Sequence, residues 1–318
     1  MFSVLFHSSF FCMMPISAPA AAPAPLPLLT QRYDHYTAAD QHVWQLLFDR
    51  QMALLPGRAA DAFLEGVRNT GFTRDAIPNF NEVNPRLRRL TGWELVVVPG
   101  IVDDAVFFGL LAERKFPATT WLRQLEQLDY LEEPDMFHDV FGHVPLLTDP
   151  GFAAFLQALG AAAGQHIARQ PDTLELFTRL YWFTAEFGLI QQTDGLRIYG
   201  AGLLSSHGEV QFSIGDKPTR LPFSLDGVLD TPFEKDHFQE LYFVLRDLAE
   251  LPAALTELQA RVELQVVRDA ELGRRLVDKL IKIYLRGGSE AWVLVHIEVQ
   301  SQEESGFAQR TYVYNYRI

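Results

Sequence analysis

Two histidines five residues apart, His138 and His143, lie within PDMFHDVFGHVPLLTDP (134–150), and a lone acid, Glu186, lies within the aromatic run RLYWFTAEFGLI (179–190). Two imidazoles and one carboxylate form a ligand set that suits non-haem Fe(II) and leaves coordination positions open for oxygen. A carboxylate inside a run that reads as a buried helix is costly unless it is paired or bound to a metal. The histidine spacing is harder to reconcile with one ion. An α-helix turns roughly 100° per residue, so side chains five apart point about 140° away from each other. Gly142 before His143 and Pro145 after it have the composition of a helix stop. The helix is therefore expected to end near Gly142 and let His143 swing back toward His138. In the competing reading one histidine caps the helix and the other packs in the core.

The elements that must position these groups read mainly as helices. Val43, Leu46, Leu47 and Met52 recur at helical spacing over 38–55, and Pro56-Gly57 stops the pattern. Further helices are expected over 59–67 and 82–90, followed by a strand over 93–98. Asp103 and Asp104 open another helix, since acids favour its positive end. The stretch 116–135 is expected to be extended and then turn-like, and 151–169 and 172–190 to be two long helices. A turn at Gly208 with alternation from Val210 to Ile214 predicts a hairpin, and 236–250 reads as a helix. The expected fold class is mainly α with short β-strands.

PDMFHDVFGHVPLLTDP, LYWFTAEFGL and YGAGLLSSHGE resemble the pterin-dependent aromatic amino acid hydroxylases, in particular the bacterial members that act on phenylalanine, over about residues 33–260. The resemblance implies the family's catalytic-domain fold. It also implies 4-hydroxylation of L-phenylalanine to L-tyrosine with O2 and a reduced pterin, tetrahydrobiopterin or a related tetrahydropterin, at Fe(II) held by His138, His143 and Glu186. Phe107 is the aromatic on which the pterin would stack, and Asp139 stands where animal members carry a glutamate near the pterin. Arg123 would pair with the substrate carboxylate, a role suited to its planar fork, with Asp135 supporting it. Trp182 would wall the substrate pocket, and Ser205 would hydrogen-bond both the substrate and a ligand histidine. Tyr130 matches a tyrosine near the iron, while Leu131 departs from the threonine of the animal phenylalanine enzymes. By themselves, the residue types also admit another mononuclear metal enzyme.

The full chain has 318 residues, 40 Asp and Glu against 27 Lys and Arg, and a net charge of −13, which argues against a phosphate-tracking nucleic-acid binder. One cysteine, Cys12, excludes an internal disulfide framework, and no apolar run is long enough to span a bilayer. A cytoplasmic monomer with no nucleic-acid or membrane partner is expected. Residues 1–32 pair an apolar start lacking Lys and Arg with an Ala/Pro-rich stretch, and read as a disordered tail rather than a secretory signal. Met13 or Met14 is a possible natural start within it. Residues 261–318 resemble part of a transposase-derived nuclease of the PD-(D/E)XK superfamily. Leu276–Leu285 and Trp292–Val299 would be its strands, and Asp278, Glu298 and Gln300 match its metal-binding positions. The expectation is a partial, vestigial nuclease-like tail carrying a β-hairpin, and an inactive fusion product is the alternative to an active hydroxylase.

Overall fold

The computed structural model describes residues 29–129, 131, 133–233, 238–277, 280–284 and 290–294. Tyr130, most of the expected N-terminal tail, and Asp278, Glu298 and Gln300 lie outside the described residues. Two compact units divide the chain, Met1–Gln259 and Ala260–Ile318. No helix among the described residues is long and apolar enough to cross a membrane.

The first unit opens with α1 (Ala38–Leu54), α2 (Asp61–Thr70) and α3 (Phe80–Leu90). A reciprocal cap fixes the start of α1: the Thr37 hydroxyl accepts from Asp40 N–H at 3.2 Å, and the Asp40 carboxylate accepts from Thr37 N–H at 2.7 Å. Gly71 ends α2 with φ +74°, a left-handed conformation that glycine adopts without a Cβ clash. β1 (Glu94–Val97) pairs in parallel with β2 (Lys115–Ala118), and α4 (Asp104–Ala112) makes the crossover. Asp103 caps α4 by accepting from Ala105 N–H. Later in the chain, α5 (Pro150–Ile167) packs closely on α4 where Gly160 faces the Phe108 carbonyl; a Cβ there would sit 2.5 Å from that oxygen.

After α6 (Leu174–Tyr181) the chain forms β3 (Leu189–Gln192), β4 (Gly195–Ile198), α7 (Ala201–Ser205), α8 (His207–Ile214), β5 (Thr219–Pro222), α9 (Leu225–Asp230) and β6 (Leu241–Leu245). The four strands form a sheet in the order β4-β3-β6-β5, with β6 parallel to both neighbours. α10 runs over Glu250–Val277, and β7 (Leu280–Tyr284) pairs antiparallel with β8 (Glu290–Leu294). The first unit is mainly helical with short strands.

Four expectations about elements are corrected. Residues 210–214 belong to helix α8 and not to a hairpin: Ser206 accepts from Glu209 N–H at 3.3 Å, so Ser206-His-Gly-Glu209 is a helix-start signature that outweighs the alternation after it. Within 236–250 the run LYFVL is strand β6, because five aromatic and branched residues are held between two other strands. The helix expected over 172–190 stops at Glu186, and its last turn is not α-helical. In the tail, α10 occupies Leu276 and Val277, so the first strand begins later than expected.

Candidate active site

The histidine segment is not broken at Gly142. Phe137–His143 is a π-helical turn that passes into a 3-10 turn at Val144–Thr148. Bonding from residue i to i+5 widens the helix and brings residues five apart nearly into line. His138 and His143 therefore share a face, for a reason opposite to the expected helix stop. Gly142 has a different task. A Cβ there would lie 2.9 Å from the Ala201 carbonyl, so its bare backbone lets α7 approach the ligand turn. The other face of the turn anchors in the core. Phe137 and Phe141 stack at 4.6 Å, with Trp44 edge-on to Phe137 at 5.5 Å and Phe63 edge-on to Phe141 at 5.7 Å.

A second π turn, Trp182–Glu186, ends α6 and presents Glu186. Ligand atoms of His138, His143 and Glu186 all lie within 4.8 Å of one another. His143 Nε2 is 3.1 Å from Glu186 Oε1 and 3.4 Å from His138 Nε2, and His138 Nε2 is 3.7 Å from Glu186 Oε2. Ser205 gives its single proton to the Ala201 carbonyl at 2.8 Å, so its oxygen accepts from His138 Nδ1–H at 3.0 Å. That bond fixes the tautomer and leaves the Nε2 lone pair facing the carboxylate. Burial alone would raise the pKa of Glu186, but the His143 imidazole, helped by His138 and the Tyr181 hydroxyl, brings it down to about 2. Burial lowers the pKa of His138, which favours the neutral, ligating form.

Two cavities meet at this trio. One is lined by Phe107, Phe108, Phe116, Asp139, Tyr181 and Trp182 beside the ligands. Phe107 is partly buried, edge-on to Tyr181 at 5.0 Å and to Phe108 at 5.6 Å. Asp139 accepts from both the backbone N–H and the hydroxyl of Thr119 at 2.8 Å, and burial raises its pKa. The other cavity is lined by Arg123, Leu131, Trp182, Ser205, Ser206 and Glu209, again beside His138 and Glu186. Arg123 forks onto fully buried Asp135 through Nε and Nη2, both at 2.9 Å. Asp135 also accepts from Arg123 N–H at 3.0 Å and His138 N–H at 3.1 Å, which ties the guanidinium to the start of the ligand turn. Trp182 belongs to both cavities; it stacks on Phe233 at 4.6 Å and donates to Gln239 Oε1 at 3.2 Å. Asp135 lines neither cavity and acts through Arg123.

Three residues in this arrangement were not singled out from sequence. Tyr181 stands five residues before Glu186, and its hydroxyl hydrogen-bonds the carboxylate across the second wide turn. The spacing of five is the same signal as in the histidine pair. Thr119 supports Asp139, and Glu209 is a buried acid in the cavity of Arg123. Thr119 carries no local signature, and Glu209 is marked only as the acid of the Ser206-His-Gly-Glu209 helix start.

Residues 31–268 match the family of biopterin-dependent aromatic amino acid hydroxylases. Over 224 residues the chain is 48% identical to phenylalanine-4-hydroxylase of Ralstonia nicotianae, covering 70% of this chain and 71% of that protein. It is 47% identical to the Chromobacterium violaceum phenylalanine-4-hydroxylase over 224 residues, 70% of this chain and 75% of that one. A crystal structure of Chromobacterium violaceum phenylalanine hydroxylase with bound iron(III) and 7,8-dihydrobiopterin superposes with a TM-score of 0.70 at 45% identity, covering 76% of this chain and 86% of that chain.

Proposed function

We propose, from the premise that this chain belongs to the biopterin-dependent aromatic amino acid hydroxylases, that it is a phenylalanine 4-monooxygenase. L-Phenylalanine, O2 and a tetrahydropterin give L-tyrosine and the 4a-hydroxypterin, one oxygen atom going to each product and the pterin supplying two electrons. The observation that carries this reading is the meeting of two cavities, one aromatic and one charged, at a single two-histidine, one-carboxylate group. The donor set fits Fe(II): two imidazoles and a carboxylate converge, Ser205 leaves the His138 Nε2 lone pair free, and the buried acid gains from a cation. His138, His143 and Glu186 would hold the ion. Iron bound there supplies the redox chemistry that lets O2 react with a stable aromatic ring.

The chain's own residues bind and orient. Arg123, locked onto Asp135, turns the edge that Asp135 leaves unused toward a substrate carboxylate. Trp182 walls the substrate ring and Ser205 holds the His138 ring plane. Phe107 offers an aromatic surface to the pterin, and Asp139 a carboxyl held by Thr119. Held in this way, ring and pterin are both brought beside the ligand trio, and orientation is the protein's main contribution. Residues 33–260 form the catalytic domain in this reading, with 261–318 appended to it.

Product analysis with iron, tetrahydropterin and each aromatic amino acid in turn tests the proposal. Tyrosine from phenylalanine, strictly dependent on pterin, is expected. Oxygenation driven by 2-oxoglutarate in place of pterin would overturn it.

A further inference from the structure

The charged cavity contains an acid that the ligand trio, the pterin side and the carboxylate fork do not use. Glu209 sits on α8, is 8% exposed, and lines the same cavity as Arg123, Ser205 and Trp182. One of its oxygens, Oε1, is buried without a hydrogen-bond partner. An unpartnered carboxylate oxygen inside a protein is destabilising, and such a group persists where an incoming donor completes it. The helix that holds it is rigidly started, since Ser206 caps it by accepting from the Glu209 N–H itself.

An α-amino acid carries an anion and a cation on one carbon, so a site that distinguishes it from other aromatic acids needs a partner for each. Arg123, a cation fixed by Asp135, and Glu209, an acid, both line this cavity. We propose that Glu209 is the acceptor for the substrate's α-ammonium group, making the cavity selective for zwitterionic amino acids; this rests on the hydroxylase reading above. Burial, together with the nearby Glu186 charge, raises the pKa of Glu209 to about 8 even though the Gln239 backbone N–H opposes the shift. A cation arriving at Oε1 relieves that burial cost, whereas a ligand without one does not.

The test uses the iron-loaded protein and its Glu209→Gln variant, which keeps the shape and can still accept from the Gln239 N–H. Dissociation constants are measured by calorimetry for L-phenylalanine, for 3-phenylpropanoate, which lacks the ammonium, and for 2-phenylethylamine, which lacks the carboxylate. The variant is expected to weaken L-phenylalanine and 2-phenylethylamine by about 10-fold or more, the size of a charge-assisted hydrogen bond, and 3-phenylpropanoate by less than about 2-fold. Glu209→Asp, which keeps the charge and shortens the reach, should show the same pattern with a smaller loss. Equal losses for all three ligands, or no loss for L-phenylalanine, would overturn the assignment. Tyrosine formation by the unaltered protein is scored separately: its absence would remove the hydroxylase reading while leaving the ligand pattern to decide the role of Glu209.

Discussion

The two cavities that meet at His138, His143 and Glu186 are built from different physics. On the Phe107 side, rings contact rings and the carboxyl of Asp139 is already satisfied by Thr119. On the Arg123 side, the walls carry a guanidinium, hydroxyls and an acid with an unsatisfied oxygen. A flat, weakly polar heterocycle gains from the first kind of surface through area and quadrupole contacts. A small zwitterion gains little from area and much from fixed, desolvated charge. The difference implies that substitutions should separate pterin effects from amino-acid effects, except at His138, Glu186 and Trp182, which line both.

The largest effect is expected where the cavities share atoms. Glu186→Ala should abolish tyrosine formation and cut bound iron well below one per chain, measured by metal analysis, with far-UV circular dichroism retained. Stoichiometric iron in that variant would place the carboxylate outside the ligand set.

Arg123→Ala acts on one cavity but on two quantities. It removes the carboxylate fork and leaves Asp135 buried without its cation, so a stability loss of about 3–5 kcal/mol should accompany a raised KM for phenylalanine. Urea unfolding with steady-state kinetics checks both, and an unchanged KM for pterin is the expected sign that the cavities are separable.

Glu209 sharpens the comparison through pH. Its folded pKa, about 8, lies above the unfolded value, so its contribution to stability is present below about pH 4.5 and is lost as pH rises toward 8. The unaltered protein should therefore lose ground to Glu209→Gln over that window, by roughly 1.4 kcal/mol per pH unit at most. Urea midpoints at about pH 5 and about pH 8.5 read the difference, and parallel midpoints would show that the carboxyl titrates normally.

Phe107→Ala should have the mildest effect, raising the KM for pterin by about 10-fold, the scale of one ring contact, and the KM for phenylalanine by less than about 2-fold. A matched rise in both would merge the two cavities into one.

The identities of the metal-binding candidates were legible because their chemistry is unusual for their surroundings: Glu186 stands out in an aromatic run, and two histidines crowd a short segment. Their geometry was not legible. Spacing arithmetic assumes an α-helix, and on that assumption Gly142 had to be a breaker; in the structure it is a point of close approach to Ala201. The helical majority, β1 and the start of α4 followed from periodicity, alternation and the acids ahead of α4, whereas the parallel pairing of β1 with β2 did not. β6 was missed because LYFVL is short enough to suit either state, and its strand form depends on neighbours remote in sequence. α8 was missed although Ser206 and Glu209 carried its start signal, and with it the acid that completes the charged cavity went unnoticed. Thr119 matters through a neighbour remote in sequence, which a linear pattern does not display, and Tyr181 through a spacing of five that only a wide turn makes a contact.

Both wide turns place their key groups five apart, histidine with histidine and phenol with carboxylate. Each is therefore set by a count of residues. Adding one residue between His138 and His143 would set them six apart, roughly 120° from alignment on an ordinary helix, and carry His143 out of reach even though both imidazoles remain in the chain. Sequence drift by substitution leaves such a device intact, whereas a single-codon insertion between the two histidines disables it at once.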